Sequence, residues 1–172
     1  MRSIVLGVCV LAAGGSGQAL HPSPSPATAA LAPAQGQARS GGQLPFRGSL
    51  TTATNVVIAP PNLFADGTAE GNATQLGRFT ATFSAVVDLA TSTGTGTFDI
   101  TAANGDQLFA TFIGVEGVLV EPNVARLTEV ATIEGGTGRF ATATGTFTLV
   151  RFDIIGEGTG YGSFDGHIDL NR

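Results

Sequence analysis

Two carboxylates are placed where they could do chemistry. Glu129 falls in the stretch Val124–Ile133, and alternation puts it on one face with Leu127, Ala131 and Ile133. Glu116 falls in Gln107–Val118 and shares a face with Leu108 and Phe112. Successive strand side chains point to opposite faces, so both carboxylates are carried toward apolar surroundings. A buried, unpaired carboxylate has a raised pKa and can serve as an acid, a base or a ligand anchor. The competing outcome is an ion pair with Arg126, Arg139 or Arg151, or a rim position where the register changes. Glu129, with apolar residues on both sides, is the stronger candidate.

The other constellations carry less. His21 and His167 are the only histidines. His167 alternates with Asp165 and Asp169, but that spacing on a strand spreads the three over about 13 Å, which reads as a solvated face and not a metal site. The single cysteine, Cys9, and one strand-face histidine leave no nucleophilic triad or Cys/His pair. Gly136-x-Gly138-x-x-Ala141 formally meets a dinucleotide fingerprint, yet the segment after it is too short and too Thr-rich for the helix that motif requires. Asn72-Ala73-Thr74 matches a glycosylation sequon, a pattern too short to carry weight. There is no lysine for a phosphate loop, and no acidic run at calcium-loop spacing. A net charge of −5 argues against nucleic acid, which needs clustered cations. Neither a metal nor a cofactor is expected.

The elements that must position these residues are strands. Thr, Val, Ile and Phe favour extended chain, and frequent Gly punctuates it. No long stretch carries helical 3.6-residue spacing. Eight strands are predicted: Phe46–Thr54, Gly67–Thr74, Arg78–Asp88, Thr95–Ala102, Gln107–Val118, Val124–Ile133, Thr146–Phe152 and Thr159–Leu170. Val56–Ala59, ended by Pro60-Pro61, reads as a loop or edge piece. Asn104-Gly105 is a strong hairpin signal. Glu134 to Gly145 reads as a tight corner, with one helical turn and Phe140 plugging an apolar gap, because its glycines reach backbone angles closed to other residues. In Arg78–Asp88, Phe79, Ala81, Phe83, Ala85 and Val87 share one face. Gln107–Val118 is apolar on both faces, so its second face should meet a partner, a packed loop or another subunit. Eight consecutive antiparallel strands can close into a barrel, which removes exposed edges. Such an interior is filled by side chains or holds one small ligand. Phe83, Phe98, Phe112, Phe164, Glu116 and Glu129 are the candidates to line it.

Three segments are expected. Residues 1–19, with Met1-Arg2-Ser3 before the apolar run Ile4–Ala13, read as a signal peptide. Residues 20–42 are a Pro/Ala/Ser-rich linker that cannot bury enough surface to order itself. Residues 43–172 form the barrel domain. The expected location is secreted or periplasmic, with no membrane span left after leader removal. Without Cys9 the remaining chain has no cysteine, so its stability must come from the core alone.

A family resemblance rests on the glycine corner. Gly135-Gly136-Thr137-Gly138-Arg139-Phe140, with Gly145 ten residues after the first glycine, resembles the Gly-Gly-Ser-Gly-x-Phe turn of plant allene oxide cyclases. Dirigent proteins carry a similar Gly-Gly-Thr-Gly-x-Phe turn. Ala73–Thr80, Ala102–Asp106 and Gly160–Ile168 are also similar to patterns in bacterial secreted allene-oxide-cyclase-like barrels. The resemblance spans roughly Gly71 to Ile168 and implies an all-β, eight-stranded antiparallel calycin-like β-barrel. Thr146–Arg151 departs from the aromatic- and lysine-rich strand of the plant cyclases. No catalytic residue of either family maps onto this chain.

Three functions are consistent with these readings. The first is a non-enzymatic barrel that binds a small hydrophobic ligand. The second is a cyclase or isomerase that holds a reactive apolar substrate in one conformation. The third is a structural or surface-assembly protein, a homo-oligomer built on the two-sided strand.

Overall fold

The computed structural model describes residues 42–171. The expected leader and nearly all of the linker, residues 1–41, lie outside the described residues. Eight strands follow in order: β1 (Leu44–Ala59), β2 (Asn62–Ala73), β3 (Gly77–Asp88), β4 (Thr93–Ala102), β5 (Gln107–Glu121), β6 (Val124–Gly136), β7 (Ala143–Ile154) and β8 (Thr159–Leu170). Each pairs antiparallel with its neighbour, and β8 pairs with β1 to close the barrel. Among the described residues no helix is long and apolar enough to cross a membrane.

The alternation in the sequence becomes the inside and outside of this barrel. On β3, Phe79, Ala81, Phe83 and Ala85 are buried while Thr80, Thr82 and Ser84 are exposed. The aromatic rings fill the middle by standing over glycines of the adjacent strand. Phe83 lies directly across from Gly67, Phe112 from Gly96, Phe164 from Gly48, and Phe147 from Gly166. A Cβ on Gly67 or Gly48 would sit 2.7 Å from the ring facing it. These glycines therefore supply the space that the rings occupy. The rings also touch one another, with centroids 4.5 Å apart for Phe98 and Phe112 and 5.2 Å for Phe147 and Phe164. Such spacings are favourable for aromatic pairs.

One end of the barrel is plugged by the glycine corner. A 3₁₀ turn spans Gly138–Phe140, and the Phe140 ring is fully buried. Leu76, Leu108 and Ile168 pack at the same end and are almost wholly buried. The corner is tied to the β4–β5 hairpin. Gln107 N–H donates to Thr137 Oγ1 at 2.8 Å, Thr137 N–H donates to Gln107 O at 2.8 Å, and Arg139 N–H donates to Asp106 Oδ2 at 3.2 Å. Gly138 sits at φ +53°, with the Asp106 carboxylate against the place a side chain would take. Glycine suits this position on both counts.

Two expectations about the strands need correction. Val56–Ala59 is neither a loop nor an edge piece. It continues β1, paired from Val56 with Ala65 to Ala59 with Asn62. Pro60 and Pro61 lie past the last ladder pair, so they remove no ladder hydrogen bond. β5 carries register shifts, one of them between Gly114 and Glu116. A bulge inserts an extra residue and reverses the alternation beyond it. Leu108, Ala110 and Phe112 stay inside, but Glu116 is turned to the outer face.

Candidate functional site

The end opposite the plug is open. The β1–β2, β3–β4, β5–β6 and β7–β8 turns surround it. Inside it lies a cavity of about 600 Å³. Its walls are apolar and include Val56, Ile58, Leu63, Val87, Leu127 and Phe112. Gly94, Gly114 and Gly117 also line it. A Cβ on Gly114 would meet nothing nearer than 3.8 Å, so this wall is set back where side chains are missing. The interior is thus solid at one end and hollow at the other.

The floor of the cavity is charged. Glu129 on β6 and Arg151 on β7 are each 5 % exposed. Arg151 lies across from Leu127 and Glu129 from Leu149, so the two charged residues are diagonal neighbours. Diagonal pairs are within reach of long side chains. Arg151 Nη2 donates to Glu129 Oε1 at 3.0 Å, and Nε donates to Oε2 at 3.2 Å. This two-pronged geometry is the strong form of an Arg–carboxylate contact. Arg151 Nη1 donates to Asp153 Oδ2 at 2.7 Å. The guanidinium also lies 5.4 Å from the centre of the Phe83 ring. Gly160 and Gly162 of β8 leave the room these groups occupy, since a Cβ at Gly162 would sit 2.8 Å from Arg151 Cβ.

Three oxygens at this level have no hydrogen-bond partner: Thr52 Oγ1, Thr54 Oγ1 and Asp153 Oδ1. Thr52 Oγ1 and Asp153 Oδ1 converge on Gly160, where a Cβ would be 2.6 Å from each. Burial opposes charge on Arg151, but the carboxylates of Glu129 and Asp153 outweigh it and hold the guanidinium above its ordinary pKa. Burial raises the Asp153 carboxyl above its usual value, and the attraction of Arg151 offsets this only in part. The Arg151–Asp153 contact thus favours charge on one partner without securing it on the other. The reason is that Arg151 is shared with Glu129 while Asp153 is half out of water.

That shift has a consequence for stability. A carboxyl with a raised pKa holds its proton more tightly in the folded state than in the unfolded one. Stability therefore falls as pH rises from the unfolded value, about 3.9, through the folded value. Asp153→Asn removes this titration. The stability of the variant relative to wild type should rise with pH across that window. Urea denaturation of both proteins at several pH values would check it. A difference that stays flat with pH would show that Asp153 keeps its ordinary titration.

The candidates named from sequence divide between floor, wall, rim and core. Glu129 is in the floor, paired with Arg151 among the three arginines considered. Phe112 is in the wall. Glu116 reaches the rim, but its carboxylate faces outward and pairs with Arg126 at 2.7 Å. The expectation that it shares the inner face with Leu108 and Phe112 is corrected by the bulge. Phe83, Phe98 and Phe164 are buried in the stack beneath the floor and do not line the cavity. Asp153 and Thr54 were not anticipated. On β7, Phe147, Leu149, Arg151 and Asp153 share one face by simple alternation, and that signal places both charged residues inside. His167 lies on the outer face between Asp165 and Asp169, and among the described residues no group of three metal-ligating side chains comes together.

Fold and site together define a closed, antiparallel eight-stranded barrel, plugged at one end and open at the other over a buried ionic floor. Comparisons with known protein families, curated proteins and solved structures find no match for this chain.

Proposed function

We propose that this barrel binds a small, largely apolar molecule in the cavity at its open end. The observation that carries the proposal is the cavity itself: about 600 Å³, apolar in its walls, with a few polar groups gathered at its floor. Ligand sites commonly have that size and that division of labour. The resemblance of the glycine corner to allene oxide cyclases and dirigent proteins accords with an interior that receives a small molecule. The apolar leader supports action outside the cytoplasm.

The test is titration of the purified protein with a neutral fluorescent apolar probe such as Nile red. Saturable uptake at one site per chain is expected. Filling the wall with Gly114→Phe should abolish uptake while the protein remains folded. Absence of saturable binding, or binding unaffected by Gly114→Phe, would remove the proposal.

A second reading, surface assembly, has one specific observation in its favour. Val57, Phe64, Val86 and Ile113 are exposed on the outer face, and the ladder pairings set them in one row with Thr95. Contiguous exposed apolar surface marks interaction sites. Light scattering discriminates this reading, because a strict monomer speaks against it.

A further inference from the structure

We propose that the cavity selects apolar molecules carrying a basic nitrogen and turns away those carrying a carboxylate. The inference rests on the cavity being a ligand site, as proposed above, and adds what the ligand's head group must be.

The charges around the cavity are lopsided. Asp88 at the rim and Glu129 and Asp153 in the floor present carboxylates to it, against Arg151 alone. Arg126 stands just outside and is engaged by Glu116. That outer pair cancels itself, so three carboxylates face one guanidinium at the cavity. Nothing nearby redresses the balance: of the other described arginines, Arg47 lies early in β1, Arg78 early in β3 and Arg139 in the corner, all at the plugged end. The N–H groups of Thr91 and Ala90, which donate to Asp88 Oδ1 at 3.0 Å and 2.7 Å, hold its carboxyl below the usual carboxylate value. In a recess with apolar walls, charges act on an entering group more strongly than in open water.

The second observation is independent of charge. Thr54 Oγ1 and Asp153 Oδ1 belong to residues that line the cavity and have no partner, and neither has Thr52 Oγ1, which is more than nine-tenths buried on the other side of Gly160. Asp153 Oδ1 is an acceptor left without a donor, and the two hydroxyls can accept as well as donate. Arg151, the only cation at the floor, is already committed to Glu129 and Asp153. An ammonium group brings up to three donors and one positive charge, which is what this floor lacks. A carboxylate could accept from the threonine hydroxyls, but it adds a further negative charge beside Glu129 and Asp153 and would have to displace one of them to reach Arg151.

The experiment is displacement of bound Nile red by three molecules of equal chain length: octylamine, octanol and octanoate. Octylamine should displace the probe at concentrations about tenfold to a hundredfold below those needed for octanol, with octanoate the weakest. Added salt should narrow the gap between amine and alcohol. Asp153→Asn should cut the advantage of octylamine over octanol about tenfold, with both competitors referred to the variant's own Nile red affinity. Should that variant not fold, Asp88→Asn at the rim serves instead, since its side-chain oxygen can still accept from the turn. Octanoate competing as well as octylamine would overturn the selectivity and leave the cavity reading standing. So would Nile red binding that none of the three displaces, or an amine advantage that survives both substitutions. Failure of Nile red itself to bind would overturn both.

Discussion

Arg151→Met should cost the barrel about 3–5 kcal/mol, the loss typical when one partner of a buried ion pair is removed. The guanidinium it deletes is shared by two carboxylates, Glu129 at 3.0 Å and Asp153 at 2.7 Å. Methionine has similar reach and would still pack against Phe83, so shape is largely kept while charge is lost. What remains is two acids in a site from which water is mostly excluded. They must either stay charged without compensation or take up protons. Domains of this size are stable by only about 5–15 kcal/mol, so the variant should unfold at far lower urea than wild type. The same physics predicts a rescue. Changing Glu129→Leu and Asp153→Asn together with Arg151→Met removes the orphaned charges, and buried ion sets replaced by apolar groups are often neutral or stabilising. The triple variant should regain most of the loss and still take up Nile red, because the apolar walls are untouched. A single-variant loss below about 1 kcal/mol, the range of exposed pairs, would mean that water reaches the floor freely and that the charges there are not confined.

The sequence made the strand pattern legible because local chemistry and global fold agree along most of the chain. Phe79 to Val87 alternates without a break, Asn104-Gly105 marks its hairpin, and Gly135 to Phe140 could only be a corner. Where the sequence reading went astray, the cause was a feature whose local signature is too weak to fix its position. The bulge after Gly114 arises from the pairing of β5 with β6, where Gly114 faces Glu129 and Glu116 faces Thr128. Gly114 inside a strand is compatible with a bulge, but Gly114-Val115-Glu116 does not fix that one residue is skipped, and a skip of one sends the side chains after it to the other face. The extension of β1 through Val56–Ala59 was hidden by the prolines after it, which end the ladder without interrupting it. The floor needed one further step. Alternation puts Arg151 and Asp153 inside, but only the registration of β6 against β7 brings Arg151 diagonal to Glu129. The hollow was out of reach altogether, because it depends on how eight strands splay at one end and pack shut at the other.

Phe46→Ala is expected to cost about 3–5 kcal/mol, as large-to-small changes of buried aromatics do. The ring is fully buried and touches Phe147 and Phe164, with centroids 5.3 Å and 5.0 Å away. Its position explains why little relaxation can offset the loss. Phe46 pairs across the closing seam with Gly166, and Gly166 pairs on its other side with Phe147. The residue between the two aromatic strands therefore has no side chain to move into a void. Backbone collapse is also opposed, because the β1–β8 ladder at this seam holds the barrel shut. The cost should thus include a cavity term that stays unrelieved, in addition to the lost burial. Phe64→Ala is the control: the same chemical change at an outer position 41 % exposed should fall within about 0.5 kcal/mol of wild type. Urea denaturation of the three proteins decides it, read at unchanged slope so that the midpoints report stability. Equal effects at the two positions would mean that the seam between β8 and β1 is not packed as described, and that closure of the barrel does not depend on the rings beneath it.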